Sequence, residues 1–275
     1  MSASRAATTT AHSGARPGAT RLLRNAPSPR VLQIVSVVTG LIIWQIVGAY
    51  LVTNPLYFVP LSDALRVIWD MARSGELWHH VSATAIEFSI GFSIAAVAGI
   101  ALGLITGTSK IARTLTDPWV SALYATPLVA LMPLYLIIFG IGTTGKAALV
   151  VTVAVFPVMI NTTVGVLSTD PGLIDVGRAY GASRWEAFRK IYLPAALPHI
   201  ISGLRLGVGR ALTGVVVGEF FFANAGLGFL IARSGQSFDT PTLFAAIIVL
   251  TVAAVLMTSL LRQVERRLAP YREVA

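Results

Sequence analysis

Six stretches of the chain are apolar for long enough to cross a bilayer. The first, Val31 to Val52, carries no charge over 22 residues, and as a helix rising ~1.5 Å per residue it spans the hydrocarbon. Further spans are expected from about Val81 to Gly107, Asp117 to Phe139, Ala147 to Leu167, Ala195 to Ala223 and Pro241 to Leu261. Pro127 and Pro133 break the third. Between the first two spans the pattern is mixed. Asn54-Pro55 and Pro60 mark turns, and Ser62-Asp63 reads as the cap of a short amphipathic helix toward Arg73. Asn224 to Gly228 is a Gly-rich turn. This pattern predicts an all-α integral membrane protein of about six transmembrane helices. A disordered tail is expected over 1–30, the membrane domain over 31–268 and a short second tail over 269–275.

One polar, basic stretch, residues 170–194, stands between the fourth and fifth spans. Asp170 is placed as an N-cap with Pro171 at the first helical position. A short helix through Tyr180 follows, and Gly181 supplies the left-handed stop. Ser183 and Glu186 have capping-box spacing, so a second short helix begins there. Leu193-Pro194 is expected to end it, because the residue before proline avoids helical dihedrals.

Composition agrees with a membrane protein. The chain is 55% hydrophobic and 12% charged, where soluble domains carry about 25% charge. The absence of cysteine excludes disulfides, thiolate metal sites and cysteine nucleophiles. Residues 1–28 hold no acid and no apolar core, so they do not read as a signal peptide. The net charge of +9 fits flanks facing anionic lipid rather than nucleic acid. Fifteen basic residues fall on one side: Arg5, Arg16, Arg21, Arg24, Arg30, Lys110, Arg113, Arg178, Arg184, Arg189, Lys190, Arg262, Arg266, Arg267 and Arg272. Four fall on the other: Arg66, Arg73, Lys146 and Arg233. The positive-inside rule then puts both termini and residues 170–194 in the cytoplasm.

Several features bear on chemistry. Gly140 to Ala147 nearly fits a phosphate-binding loop, but Ala147 lacks the metal-binding hydroxyl and an apolar span precedes it in place of a strand. His12, His79, His80 and His199 show no ligand spacing, and His79-His80 are read as interfacial. No nucleophile–base set or carboxylate pair converges, so an intramembrane enzyme has no support. Small residues recur every four positions at Gly91, Ala95, Gly99, Gly103 and Gly107, and nearly so at Gly203, Gly207, Ala211, Gly214 and Gly218. Each stripe serves either packing within the bundle or a seam with a second subunit. Ionisable residues inside spans ask for a function. Glu87 and Glu219 are expected near outer span ends, reaching the interface, while Arg205 and Arg210 lie deeper. Tyr124, Pro127, Pro133, Arg205, Arg210 and Glu219 are the candidate lining of a membrane path, with packed kinks and a buried or snorkelling pair as the alternative.

The stretch Asp175-Val176-Gly177, three residues, Gly181, nine residues, Ile191-Tyr192-Leu193-Pro194 resembles the EAA loop of bacterial ABC-importer permeases. The family's Glu-Ala-Ala is replaced by Asp-Val-Gly. Tyr124 to Gly142, and Gly218-Glu219-Phe220 followed by Ala225 to Ile231, look like the nitrate/sulfonate/taurine branch. The resemblance implies a type I permease fold in the bacterial inner membrane that imports a small solute, most naturally an organic or inorganic anion. It implies no catalysis on this chain, with ATP and Mg2+ held by a partner. Implied partners are a second permease copy forming a homodimer, two ATPase subunits, an extracytoplasmic binding protein and membrane lipid. It also implies that Asp175, Val176, Gly177, Arg178, Ala179, Gly181, Ser183, Glu186, Ile191, Leu193 and Pro194 form the ATPase-coupling loop. The same branch serves thiamine-precursor and aromatic-acid uptake. An ion-coupled secondary transporter is the rival from another class, but it would need inverted repeats and a mid-membrane carboxylate, and neither is evident. A structural membrane scaffold would not need the capped loop.

Overall fold

The computed structural model describes residues 28–52 and 54–268, so both expected tails lie largely outside the described residues. Pro29 and Arg30, placed with the tail by sequence, already belong to the first helix. Helix α1 (Pro29–Ile46) widens into a π-helical turn (Val47–Leu51). Then come α2 (Leu61–Ser74), α3 (Glu76–Thr108) and α4 (Lys110–Ala125). A 3-10 turn (Leu128–Leu131) joins α4 to α5 (Met132–Phe139), and α6 (Thr143–Leu167) follows. Next are α7 (Pro171–Ala179), α8 (Arg184–Ala187), a π-helical turn (Phe188–Tyr192) and α9 (Leu193–Phe222). Helices α10 (Leu227–Gln236) and α11 (Thr240–Leu268) complete the chain.

Among the described residues, five continuous helices are long and apolar enough to cross a membrane. The sixth expected span exists in pieces. Thr126-Pro127 leaves the helical path after α4, and Pro133 sits at the start of α5, where a missing N–H costs nothing.

The bundle is built on α6, held between α3 and α9. The two small-residue stripes explain this. A Cβ added at Gly91, Gly103 or Gly107 would fall 2.5 Å from the Cβ of Val150, Thr162 or Val166, so α3 runs parallel to α6 in constant register. On the other flank, Gly203, Gly214 and Gly218 approach Asn161, Val153 and Lys146, so α9 runs antiparallel. Both stripes are consumed within the chain, which settles the packing-or-seam alternative in favour of packing. Phe88, Ala95, Val150, Ala154, Val208, Ala211 and Val215 form the core between the three helices. Helix α1 keeps Val35, Val37 and Ile42 exposed, as a helix facing lipid does.

Three local expectations are corrected. Leu193-Pro194 does not end a helix. Leu193 is helical, and its N–H reaches back five residues to the Phe188 carbonyl. The wide turn inserts one residue, and Pro194 then occupies the first turn of α9, so the chain passes without a break. Helix α2 begins one residue earlier than expected. Ser62 does not cap it; its N–H donates instead to Gln45 Oε1 at 3.0 Å. The Gly-rich turn at 224–228 is shorter than expected, because α10 starts at Leu227.

Candidate functional site

The 170–194 loop is organised by local hydrogen bonds that its sequence specifies. Asp170 Oδ1 accepts from the Gly172 N–H at 2.8 Å, starting α7 behind Pro171. At the other end Gly181 has φ +72°, and two bonds close the helix: Ala182 N–H to Gly177 O at 2.9 Å and Gly181 N–H to Arg178 O at 3.0 Å. This pair of bonds is a Schellman stop. The capping box at Ser183 is complete: Ser183 Oγ accepts from Glu186 N–H at 3.2 Å, and Glu186 Oε2 accepts from Ser183 N–H at 3.0 Å. Lys190 adds an ion pair to Glu186 at 3.2 Å. The Ser183 N–H, the Ser183 hydroxyl and Lys190 together hold the Glu186 carboxyl down to about 2.

Within this loop two motif positions meet. A Cβ on Gly177 would lie 2.7 Å from Ile191 Cδ1, so the small residue lets α7 lie across the π-helical turn. Asp175, Arg178 and Ala179 are exposed, with Asp175 and Arg178 3.5 Å apart. Leu193 is partly buried and Pro194 exposed. Leu173, Val176 and Tyr180 are all exposed, Tyr180 by 88%. Their i, i+3, i+7 spacing puts them on one side of α7, an apolar face left uncovered by the described residues.

At the opposite end of the bundle lies a buried polar corner that sequence reading missed. Glu219 is 1% exposed. Its Oε1 accepts from Thr84 Oγ1 at 2.6 Å and its Oε2 from the Gly228 N–H at 2.6 Å. Thr84 Oγ1 in turn accepts from Leu227 N–H at 2.8 Å, and His80 Nδ1 accepts from Gly226 N–H at 3.1 Å. The carboxylate and two α3 side chains therefore cap the start of α10 from other helices. The glycines are obligatory here: a Cβ on Gly226, at φ +126°, would sit 2.3 Å from the Glu219 carboxyl carbon. Nearby, Glu87 and Lys146 are both buried and form an ion pair between α3 and α6.

These contacts correct several expectations. Glu219 and Glu87 do not reach the interface, His80 is not interfacial although His79 is exposed, and Lys146 is not a loop charge. The reason is shared: each polar group found a buried partner far away in sequence, which costs less than leaving it unpaired. Glu219 is held by Thr84 and the Gly228 N–H. One signal was available. Glu87 and Lys146 are opposite charges beside apolar runs, each needing a partner.

The remaining path candidates are open. Tyr124 is 47% exposed, with its ring edge toward Phe156, and Pro127 and Pro133 are exposed. Helix α4 buries none of its residues. Arg205 is partly buried and Arg210 exposed, both on α9.

The Gly140–Ala147 segment is a short turn, with Gly140 at φ +72°, that runs into the first residues of α6, and helix α5 rather than a strand precedes it. No group of three or more histidine, aspartate or glutamate side chains able to hold a metal occurs among the described residues.

The chain folds as a helical membrane bundle with a capped loop between two spans, and sequence comparison gives its family. The chain belongs to the binding-protein-dependent transport system inner membrane components, whose family model matches residues 99–270. It is 33% identical over 230 residues to SsuC of Bacillus subtilis (strain 168), a permease assigned to aliphatic sulfonates, covering 84% of this chain and 83% of that one. It is 31% identical to the taurine permease TauC of Escherichia coli (strain K12), covering 87% and 89%. It is also 31% identical to the formylaminopyrimidine permease ThiX of Halalkalibacterium halodurans, covering 85% and 92%. Among solved structures, the inward-facing MetNI methionine ABC transporter matches with a TM-score of 0.57 at 20% identity, covering 74% of this chain and 98% of that one. The protein is thus a multi-pass inner-membrane permease subunit of an ABC importer. It works with a binding protein and with separate ATPase subunits, which hydrolyse the ATP.

Proposed function

We propose that this permease forms the membrane path for a small sulfonate-type anion, and that residues 170–194 couple it to the ATPase. The observation that carries the coupling role is the exposed Leu173–Val176–Tyr180 face on a helix rigidly stopped at both ends. An apolar face on a short polar loop costs hydration unless a protein groove covers it. The basic asymmetry of the loops supports a cytoplasmic position for this loop and both termini. ATP and Mg2+ then belong to the ATPase on that side.

A second copy of the chain completes the path. Helix α4 and the link after it expose Tyr124 and Pro127 together with backbone freed by the break. Broken backbone at membrane depth is tolerated only against protein or water. Arg210, exposed midway along α9, meets the same restriction. An arginine beside a narrow passage lowers the barrier to an anion and raises it for a cation. The sulfonate and taurine relatives support an anionic sulfonate as cargo, while the pyrimidine relative supports a neutral heterocycle as the second reading.

Uptake by the reconstituted complex across sulfonates, nitrate, aromatic acids and neutral pyrimidines tests the cargo. Sulfonate uptake that falls in Arg210→Gln is expected. Uptake of pyrimidines alone ends the anion reading. Orientation is tested with single cysteines, which report cleanly in a chain without native ones. Thr144→Cys and Ser237→Cys are expected to react with an impermeant thiol reagent in intact cells, and Ser183→Cys is not.

A further inference from the structure

A cavity of about 620 Å³ lies between the end of α3 and the coupling loop. Its walls include Thr108 of α3, Ile174 and Arg178 of α7, Arg184 of α8, and Phe188 and Tyr192 of the π-helical turn. Two arginines from separate elements thus line one space, Arg178 also lying 3.5 Å from Asp175, together with Thr108, Tyr192 and apolar side chains. No carboxylate lines it. Thr108 marks the depth. It is the last residue of a membrane-spanning helix, and Lys110 follows after Ser109. The cavity therefore opens at the level where lipid headgroups sit. Beside it, Trp185 is 67% exposed and stacked on Phe188, the kind of aromatic that settles at a membrane–water boundary.

We infer that this cavity binds the phosphodiester headgroup of an anionic phospholipid and wedges it between the bundle and the coupling helix. Guanidiniums bind phosphate oxygens in paired, charge-assisted bonds. Basic pockets beside the cytoplasmic ends of membrane helices select such headgroups. Ile174 and Phe188 would meet the glycerol and upper acyl carbons, which a free phosphate lacks. The lipid would neutralise Arg178 and Arg184 and fix the angle of α7, so coupling to the ATPase would depend on anionic lipid. This inference rests on the reading that residues 170–194 face the cytoplasm, which the cysteine labelling above tests separately.

The test uses the complete importer in nanodiscs of phosphatidylcholine alone or mixed with phosphatidylglycerol. Native mass spectrometry reads retained lipid, and binding-protein-stimulated ATP hydrolysis reads coupling. Wild type is expected to retain phosphatidylglycerol and to gain stimulated hydrolysis in the mixed discs. Arg178→Gln/Arg184→Gln is expected to lose roughly tenfold or more in phosphatidylglycerol retention and to lose the lipid-dependent gain. Arg184→Gln alone, which keeps the Arg178–Asp175 contact, is expected to fall between. Equal phosphatidylglycerol retention in all three proteins overturns the proposal. So does loss of the ATPase from the double variant in both kinds of disc, since the arginines would then serve the ATPase contact. Recovery of the gain in phosphatidylcholine discs by inorganic phosphate also overturns it, by identifying a free-anion site.

Discussion

The two ends of the bundle solve the same problem by opposite means. At the coupling loop, helix ends are capped by residues within a few positions of them: Asp170, Gly181, Ser183 and Glu186. At the other end, α10 is capped by Glu219 and by Thr84 and His80, which lie more than 140 positions earlier in the chain. A local cap can be exposed to water and still hold. A remote cap is buried, so its failure leaves polar groups unsatisfied in a dry interior. The buried end should therefore be costly to disturb in stability, and the exposed end costly mainly in coupling.

The largest effect is expected at Glu87 and Lys146. Lys146→Met leaves a buried carboxylate without its partner, and removing one member of such a pair costs about 3–5 kcal/mol. Glu87→Leu should cost a similar amount. The double variant Glu87→Leu/Lys146→Met should recover most of the loss, because an apolar pair needs no desolvation of charge. Thermal stability of the purified protein in detergent, followed by size-exclusion chromatography, checks this. A double variant as unstable as either single one would show that the pair is not what holds α3 to α6 there.

Next comes Glu219 itself. Glu219→Ala strands the Gly228 N–H and removes the Thr84 contact, at about 1–3 kcal/mol. Gly226→Ala should do comparable harm for two reasons: the positive φ and the clash with the carboxylate. The double variant Gly226→Ala/Glu219→Ala should lose less than the sum, since the clash vanishes with the side chain. Strict additivity in thermal stability would separate the glycine from the carboxylate.

This contrast also shows what the chain disclosed before its structure. Spans, the broken third helix, the caps of the 170–194 loop and the αL glycine were legible, because each rests on spacing within a turn or on a run of apolar residues. The small-residue stripes were legible as stripes, but not their common partner α6, since register between distant helices is not written locally. Pro194 was misread because a π-helical turn has no local signature and rescues a proline that would otherwise end a helix. Thr84 and His80 gave no sign at all. A threonine or histidine in an apolar run becomes informative only when the backbone it caps is known.

At the coupling loop the effect shifts from stability to function. A Cβ added at Gly181 would meet no described atom within 4 Å. The φ of +72° there is the obstacle. Gly181→Val should strain the backbone by about 1–2 kcal/mol, while Gly181→Asn, which tolerates that region, should be milder. Both proteins should insert and melt nearly as wild type. Binding-protein-stimulated ATP hydrolysis should fall sharply in the valine variant and modestly in the asparagine one. Equal stimulation in both would mean that the angle after α7 does not matter to coupling.

The smallest effect is expected at the capping box. Ser183→Ala removes the acceptor for the Glu186 N–H, and the loss of such a cap typically costs about 1 kcal/mol. Because α8 runs on into α9 through the π-helical turn, the change should fray residues 183–187 without unfolding the span. Hydrogen exchange on that segment is the sensitive measurement. The same segment should respond to acid. Glu186 has a folded-state value lowered to about 2 from 4.5, so its contribution is complete above the ordinary carboxylate range and is lost as pH falls from there toward 2. Exchange protection at 183–187, corrected for the intrinsic acid dependence of exchange, should decline over that window in wild type. In Ser183→Ala the decline should start in the same range but be smaller and end at a higher pH, because of the two Ser183 groups that hold the carboxylate ionised the variant keeps only the N–H. An unshifted decline in the variant would assign the low value to Lys190 and the backbone, and the box would then be a geometric coincidence of the turn.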